Sequence, residues 1–255
     1  MDEWSFGLTR RDRSAKPILG RLPNSAAPAL TDFPKFSVII CTRNGAGRLV
    51  LCLEAARALE YPDFEIMVVN DGSTDSTKSF LDQQEGIRVI HLEPCGLSAA
   101  RNRGAFEATG DILAYTDDDC QVDPHWLSEL ARVFLRSEAA AVGGPNLSPP
   151  IESLSLALTT AAPGAPSHVM LSDREAEHLP GCNIAVRKEA FERVGGFDEI
   201  FQVAGDDVDF CWRLRDAEMT LGFSPAAFVW HHRRATPWRY LKQQMGYGKA
   251  EALLF

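Results

Sequence analysis

The sequence predicts a doubly wound α/β fold, in which a mostly parallel sheet is flanked by helices and the second half is less regular. Short apolar runs alternate with stretches of helical spacing from Phe36 to about Ser137. Two of these runs end abruptly in acidic, turn-forming residues, and after Gly143 the alternation fades as prolines become frequent. Alternation of strand and helix is typical of a parallel sheet, whose ligands bind beyond the carboxyl ends of its strands.

Four strands and four helices account for the regular first half. Strands are predicted at the apolar runs 37–41, 65–69, 87–91 and 112–115. Helices are predicted around 49–56, from about 75, over 97–107 and from Asp123, where an aspartate at the N-cap precedes Pro124 in the first turn. For the second half we expect loops and a short helix over 144–180 and a helix over 206–217.

Composition restricts the class of protein. The 255 residues carry a formal net charge of -9 and are 45% hydrophobic, as in an ordinary soluble globular protein. The acidic balance argues against a general nucleic-acid-binding protein, which would present a basic surface. It does not argue against a nucleotide ligand, because a bound metal ion offsets carboxylates and phosphates locally.

The cysteines and the termini bear on the cellular location. Six cysteines include no CxxC pair, so we expect free thiols in a reducing compartment. The N-terminus lacks the apolar core of a signal peptide, and no apolar run approaches the ~20 residues of a membrane span. We therefore expect a cytoplasmic protein, with the inner face of the membrane as an alternative. Residues 1–35 are expected to be a tail or arm, and the chain ends within a helical pattern, as a truncated protein or a fragment would.

The first candidate site is Asn70-Asp71-Gly72-Ser73, directly after the second strand. A carboxylate at the carboxyl end of such a strand faces the binding crevice, where it accepts hydrogen bonds from a base or a ribose hydroxyl. The alternative is a simple turn, because all four residue types are turn formers.

The second candidate site is Asp117-Asp118-Asp119, directly after the fourth strand. Three adjacent carboxylates repel one another in a partly buried place, so a neutralising partner is expected. A hard divalent cation with oxygen ligands fits, and Mg²⁺ also favours phosphate oxygens. The alternative is a solvated acidic turn.

Two further groups occur late in the chain. Asp206, Asp207 and Asp209 lie at the start of a predicted helix, where they serve either as caps favoured by the helix dipole or as a general base. His231 and His232 follow an apolar run, and a neutral imidazole beside a carboxylate can complete a metal site. The alternative for each histidine is a structural role.

Six motifs in a fixed order resemble glycosyltransferase family 2, the inverting enzymes of the Rossmann-like GT-A fold. They are FSVIICTRNGAGRL (36–49), VVNDGSTDST (68–77), GLSAARNRGA (96–105), GDILAYTDDDC (110–120), GCNIAVRKEAFERVGGFDE (181–199) and AGDDVDFCWRL (204–214). The resemblance implies a GT-A domain over 36–232, with a donor half at 36–143 and an acceptor half at 144–232. A basic segment, 233–255, follows it.

The resemblance also implies roles for particular residues. Donor-binding roles are implied for Thr42, Asp71, Arg101, Asp117 and Asp118. Asp119 would bind the metal, with His231 or His232 as an added ligand or a pyrophosphate contact. Asp207 would be the catalytic base, with Asp206 orienting the acceptor and Asp209 capping the helix.

The chain departs from the family pattern at three points. Asn70 stands where the family often has aspartate, so nucleoside contacts depend more heavily on Asp71. Asp206 replaces the more usual glutamate. The QxxRW motif of processive synthases is absent from the sequence, which argues against a polymerising synthase.

The function implied is transfer of a sugar, with Mg²⁺ or Mn²⁺, from a nucleotide-diphosphate donor to a carbohydrate or lipid-linked hydroxyl acceptor. Uridine diphosphate is the default nucleotide, with guanosine and thymidine diphosphates as alternatives. Nucleic acid is not an expected partner, and peripheral membrane association is an open expectation. The basic segment would be a lid over the phosphates or a solvated or membrane-facing surface.

One alternative function is that of a nucleotidyltransferase, which needs a Gly-rich basic loop that residues 42–48 resemble poorly. Another is a non-catalytic sugar-nucleotide-binding subunit.

Overall fold

A computed structural model describes residues 33–150, 154–161, 168–232 and 236–254. Most of the predicted N-terminal tail lies outside the described residues. The helices are α1 (Ala46–Arg57), α2 (Thr77–Leu81), α3 (Leu97–Glu107), α4 (Trp126–Phe134), α5 (Leu154–Ala161), α6 (Lys188–Arg193), α7 (Asp206–Asp216) and α8 (Pro237–Glu251). The strands are β1 (Phe36–Thr42), β2 (Phe64–Asp71), β3 (Arg88–Leu92), β4 (Ile112–Asp117), β5 (Cys120–Val122), β6 (Ala141–Gly143), β7 (Asn146–Leu147), β8 (Val169–Met170), β9 (Glu175–His178), β10 (Ile184–Arg187), β11 (Leu221–Phe223) and β12 (Val229–His231).

A nine-stranded sheet with the order β3-β2-β1-β4-β10-β6-β11-β9-β8 forms the centre of the fold. Strand β1 runs parallel to β2 on one side and to β4 on the other. Their register pairs Thr42 with Asn70 and Cys41 with Asp117, so the carboxyl ends of the three strands are level. Strands β2 and β3 are added on one side of β1, and β4 is added on the other side. The switch point of the topology therefore lies between β1 and β4, which is where such sheets bind ligands.

Strand β1 is buried on both faces of the sheet, and it is apolar from Val38 to Cys41. Val38 and Ile40 belong to the core on one face, and Ile39 belongs to the core on the other. Helix α3 packs closely on that second face, since a Cβ atom on Gly104 would lie 2.6 Å from the Ile39 side chain. A fully buried parallel strand reads as a continuous apolar run, as the sequence predicted.

The second half continues the sheet in mixed directions. Strand β10 runs antiparallel to β4 and to β6, and β11 runs parallel to β6. The α/β prediction is confirmed, and the strands β1 to β4 of the first half form the continuous parallel part of the sheet. A separate sheet, β5-β12-β7, pairs His231 with Cys120. That pairing brings the end of the second half beside the acidic run after β4.

The predicted strands and helices of the first half agree with the structure except at one helix start. In residues 144–180, where loops and a short helix were expected, the structure also has the short strands β7, β8 and β9. The prediction placed Asp123 at the N-cap of α4, but the helix begins at Trp126. The Asp123 carboxylate accepts a hydrogen bond from the His125 backbone N–H, and its carbonyl accepts one from Trp126. Asp123 and Pro124 therefore form a turn that precedes the helix. Among the described helices, none is both long enough and apolar enough to cross a bilayer.

Candidate active site

A cavity of about 570 Å³ lies at the carboxyl ends of β1 and β4. Its acidic wall consists of Asp117, Asp118 and Asp119, with His231 beside them. Arg43 and Arg48 line it from the segment after β1, and Lys242, Gln243, Gly246 and Tyr247 line it from α8. The volume is in the range of cavities that hold a small-molecule ligand or cofactor.

The central carboxylate of the acidic run is held by the protein itself. Both Asp118 oxygens accept hydrogen bonds from the Arg48 guanidinium, at 2.8 and 2.7 Å, and one also accepts from the Thr42 hydroxyl at 2.6 Å. Burial raises the pKa of Asp118, although the Arg48 and Thr42 hydrogen bonds act in the opposite direction. Thr42 and Asp118, both predicted to bind the donor, therefore meet each other, and Asp118 lines the cavity.

Arg101 lies below the cavity as the centre of a buried ion-pair network. Its side chain is only 4% exposed, and it donates to Asp117 at 3.1 Å and to Asp206. The Arg101 guanidinium fits against Gly181 because this residue has no side chain. A Cβ atom on Gly181 would lie 2.6 Å from the guanidinium. Arg101, predicted to sit near the donor, reaches the cavity lining through its ion pair with Asp117.

The partners of Arg101 respond to burial. Desolvation raises the pKa of Asp206 to about 6, with Arg101 opposing the shift and Asp207 adding to it. Desolvation likewise raises the pKa of Asp117, with the Arg101 charge opposing it. Removing either carboxylate would leave a buried guanidinium with one partner fewer.

Asp119 and His231 form the candidate metal site. The Asp119 Oδ1 atom lies 3.3 Å from His231 Nε2, and both side chains are about nine-tenths buried. The Nδ1 atom of His231 is buried and has no hydrogen-bond partner among the described residues. Burial lowers the pKa of His231, but the hydrogen bond to Asp119 and the nearby Cys182 and Asp117 outweigh it and raise the pKa to about 9.

This donor set fits a divalent cation. An imidazole nitrogen and a carboxylate oxygen 3.3 Å apart are close to the separation of two ligands on one ion with bonds of about 2.1–2.2 Å. Cys120 places a third ligand atom within 4.8 Å of both. Burial raises the pKa of its thiol well above the usual range, so it stays protonated and is a poor ligand for Mg²⁺.

The two adjacent histidines are not equivalent. His231 is buried in β12 beside Asp119, whereas His232 is exposed and its backbone N–H donates to the Asp119 carbonyl at 2.9 Å. The His232 side chain contributes no atom to the cluster of candidate ligands found among the described residues. Of the two predicted ligands, His231 has the geometry for the role.

Asp71 organises the loop before α3. Asp71 is 5% exposed. Its carboxylate accepts hydrogen bonds from the backbone N–H groups of Cys95 and Gly96. The Arg43 guanidinium lies 3.7 Å away. A carboxylate has about four acceptor positions, so these contacts leave capacity for a further hydrogen bond.

The three aspartates of α7 have three different partners. Asp206 is buried against Arg101, Asp207 accepts a hydrogen bond from the Gly181 N–H at 2.8 Å, and Asp209 pairs with Arg213 four residues later. The prediction that Asp209 caps the helix is wrong. The cap residue is Gly205 at a φ of 85°, and no side chain caps the helix there. Asp209 faces along the helix, where the i,i+4 spacing brings Arg213 within reach.

Sequence reasoning missed the groups that close the cavity. Arg48 lay within the first motif, but nothing in the local pattern indicated that it would pair with Asp118. Gln243 and Tyr247 come from α8, in the basic segment that was expected to be a lid over the phosphates or a solvated or membrane-facing surface, and neither residue was singled out. The helical spacing of Gln243, Tyr247 and the buried Ala250 was the available signal.

Comparison with known proteins is informative at the level of the family. Residues 37–195 match the model of glycosyl transferase family 2. The chain is 31% identical over 229 residues to a pre-mycofactocin glycosyltransferase of Mycobacterium tuberculosis, which covers 86% of this chain and 47% of the relative. The chain therefore spans about half the length of that curated relative.

Two solved structures share the fold. A mannosyltransferase from Pyrobaculum calidifontis in complex with GDP-Man and Mn²⁺ aligns with a TM-score of 0.64 at 23% identity, over 87% of this chain and 63% of the other. S. aureus TarS in complex with UDP-GlcNAc aligns with a TM-score of 0.64 at 20% identity, over 78% of this chain and 59% of the other. At these identities the likeness concerns the fold.

Proposed function

Because the chain belongs to glycosyltransferase family 2, we propose that it moves a sugar from a nucleotide-diphosphate donor to a hydroxyl acceptor. The transfer inverts the anomeric configuration and uses Mg²⁺ or Mn²⁺. The observation that carries the proposal is the Asp119–His231 pair, which lies on the cavity at the carboxyl ends of β1 and β4. A uridine diphosphate sugar is the first donor to test and a guanosine diphosphate sugar the second, since the two aligned structures contain UDP-GlcNAc and GDP-Man.

Asp119 and His231 would hold the cation. When bound, the cation acts as a Lewis acid that neutralises the charge growing on the diphosphate leaving group. Arg43 lines the cavity, and its side chain is 53% exposed. Its positively charged guanidinium can therefore contact a phosphate of the donor. Asp118 and Arg48 neutralise each other and hold this wall of the cavity in place.

Asp207 would take the proton of the acceptor hydroxyl as its oxygen attacks the anomeric carbon. The bond from that carbon to the diphosphate oxygen breaks in the same displacement. The Gly181 N–H, 2.8 Å from the Asp207 carboxylate, fixes the direction of the side chain. Asp206 does not compete for this role in the proposal, because its carboxylate is buried against Arg101.

Asp71 would contact the nucleoside, as the remaining acceptor capacity of its carboxylate allows. The carboxylate lies at the end of β2, next to the segment after β1 that lines the cavity. In this proposal the Asp71 carboxylate accepts hydrogen bonds both from the loop before α3 and from the nucleoside.

The nucleotidyltransferase alternative is disfavoured by the loop after β1. A triphosphate cradle needs free backbone N–H groups. Here the N–H of Asn44 donates to Ser73, and those of Gly45 and Ala46 donate to the Thr77 hydroxyl. The Arg48 guanidinium already donates two hydrogen bonds to the Asp118 carboxylate. The loop therefore offers little to a triphosphate.

The outer face of α8 supports peripheral contact with an anionic membrane. Trp238, Leu241 and Met245 are 77%, 52% and 68% exposed along it, and Lys242 and Lys249 are exposed on the same helix. An interfacial helix combines such apolar and basic side chains. Cosedimentation with phosphatidylserine vesicles tests this, with Trp238→Ser and Met245→Ser together reducing the bound fraction. Equal binding of this variant and the unaltered protein would contradict the role of α8.

Product analysis tests the central proposal. The protein is screened with nucleotide sugars and Mn²⁺ for a rise in melting temperature, and the stabilising donor is then incubated with candidate acceptors. Free nucleoside diphosphate is the expected product, whereas pyrophosphate indicates nucleotidyl transfer. Binding without turnover across all acceptors would favour the non-catalytic subunit.

A further inference from the structure

Helix α8 closes the cavity with its inner face, and it lies outside the residues 37–195 that match the family model. Gln243, Gly246 and Tyr247 line the cavity, and Ala250 on the same face is buried. The spacing of three, four and seven residues puts these positions on one side of a helix. Whatever this face recognises is thus a property of the chain beyond the common family segment.

Two polar side chains on this face hold each other. The Gln243 Nε2 atom donates a hydrogen bond to the Tyr247 hydroxyl oxygen at 2.8 Å. Since the oxygen accepts in this bond, the phenolic hydrogen remains to donate to another group, and the Gln243 carbonyl oxygen remains to accept. The pair therefore presents the phenolic hydrogen and the second Nε2 hydrogen as donors, and the Gln243 carbonyl oxygen as an acceptor, in a fixed arrangement.

The surroundings of Tyr247 locate this pair in the cavity. Burial raises the pKa of Tyr247 to about 12, and the negative charges of Asp117 and Asp207 raise it further in the same direction. The hydroxyl therefore stays protonated at neutral pH and lies where both carboxylates act on it. In the proposed reaction the anomeric carbon of the donor lies near Asp207, and the diphosphate lies near Asp119 and His231.

We propose that Gln243 and Tyr247 form a subsite for the hydroxyl groups of the sugar that is transferred, and that they select which sugar is accepted. This rests on the proposed function, because the side of the anomeric carbon is assigned through Asp207. A sugar hydroxyl both donates and accepts, so neighbouring hydroxyls match a donor and an acceptor in fixed positions. Sites that hydrogen-bond a hydroxyl discriminate strongly against an analogue in which the hydroxyl is missing or inverted.

Gly246 leaves room for such a sugar. A Cβ atom at this position would meet only the Val203 side chain, at 3.9 Å. The cavity is therefore open beside Gly246, where a larger side chain would project into it.

The test separates sugar recognition from nucleotide recognition. Calorimetry with Mn²⁺ compares a nucleotide sugar, chosen as one that raises the melting temperature of the unaltered protein, with the nucleoside diphosphate that lacks the sugar. Tyr247→Phe should weaken binding of the nucleotide sugar by roughly 3–15-fold, the worth of one hydrogen bond, and leave the nucleoside diphosphate unaffected. The control is Tyr240→Phe, on the same helix but not on the cavity, which should change neither affinity.

A second readout is the preference between donors with epimeric sugars. Tyr247→Phe and Gln243→Ala should change the ratio of their affinities, whereas Tyr240→Phe should not. Equal loss for the nucleotide sugar and the bare nucleoside diphosphate, or an unchanged epimer ratio, would overturn the subsite. If the unaltered protein binds no nucleotide with Mn²⁺, the proposed function itself fails. Equal affinity of the unaltered protein for both ligands overturns the subsite alone.

Discussion

Asp119 Oδ1 and His231 Nε2 lie 3.3 Å apart because strand β12 pairs with β5, which sets His231 opposite Cys120. The two side chains come from segments far apart in the sequence, and both are nearly buried. The backbone adds a second link, since the N–H of His232 donates to the Asp119 carbonyl at 2.9 Å. A carboxylate and an imidazole held together in this way are ready to share one cation.

The first prediction concerns metal dependence. Asp119→Asn and His231→Gln should each weaken Mn²⁺-dependent donor binding by at least about tenfold, because even residues that only support metal ligands commonly have effects of that size. The measurement is donor titration with and without Mn²⁺. His232→Gln is the matched control, and its exposed side chain predicts a small effect. Full donor binding in excess chelator would contradict the metal role.

The second prediction concerns the base. Asp207→Asn should lower kcat by roughly 10²–10⁴-fold while donor affinity holds, since a base acts mainly in the transition state. The amide oxygen can still accept from the Gly181 N–H, so the fold should be kept. Turnover and donor titration are measured side by side. Near-normal turnover of this variant would place the base elsewhere.

The third prediction concerns the buried ion pair. Asp206→Asn should lower the free energy of unfolding by up to about 3–5 kcal/mol, because Arg101 would lose a charged partner while remaining buried. Asp209→Asn, in the same helix, removes a partly exposed pair and should cost less than about 1 kcal/mol. Urea denaturation of both variants gives the comparison. Similar small losses would mean that Asp117 alone suffices for Arg101.

The fourth prediction concerns the turn after β1. Gly45→Ala should destabilise the protein and disturb the acidic wall of the cavity, because a Cβ there would lie 2.2 Å from both the Asp118 carboxylate and the Thr42 hydroxyl. Gly47→Ala is its control, since a Cβ at Gly47 meets no atom within 4 Å and alanine favours the helix. Thermal unfolding and donor binding are measured for both. A neutral Gly45→Ala would show that the Thr42–Asp118 contact can move at little cost.

The fifth prediction concerns Asp71. Asp71→Ala should weaken binding of the free nucleoside diphosphate and also lower the melting temperature, because the N–H groups of Cys95 and Gly96 lose their acceptor. Calorimetry and thermal unfolding measure the two effects separately. A lower melting temperature with unchanged affinity would assign Asp71 to the loop alone.

The sequence by itself determined the α/β fold and the edge of the sheet that carries the acidic groups. Apolar runs such as 37–41 alternate with helical spacing, and this local pattern depends only on which faces of an element are buried. Asp71 and Asp117 end two of the runs, and carboxyl ends of neighbouring parallel strands lie at one edge. Both conclusions follow from neighbours in the chain.

Only the tertiary structure decided how the carboxylates are divided among their partners. Asp118 meets Arg48, Asp206 meets Arg101, and His231 rather than His232 meets Asp119. These pairings depend on contacts between segments far apart in the chain, and a local pattern of charges is the same whichever partner arrives. The placement of Gln243 and Tyr247 over the cavity has the same cause, because the spacing of α8 defines a buried face and only packing determines what that face covers.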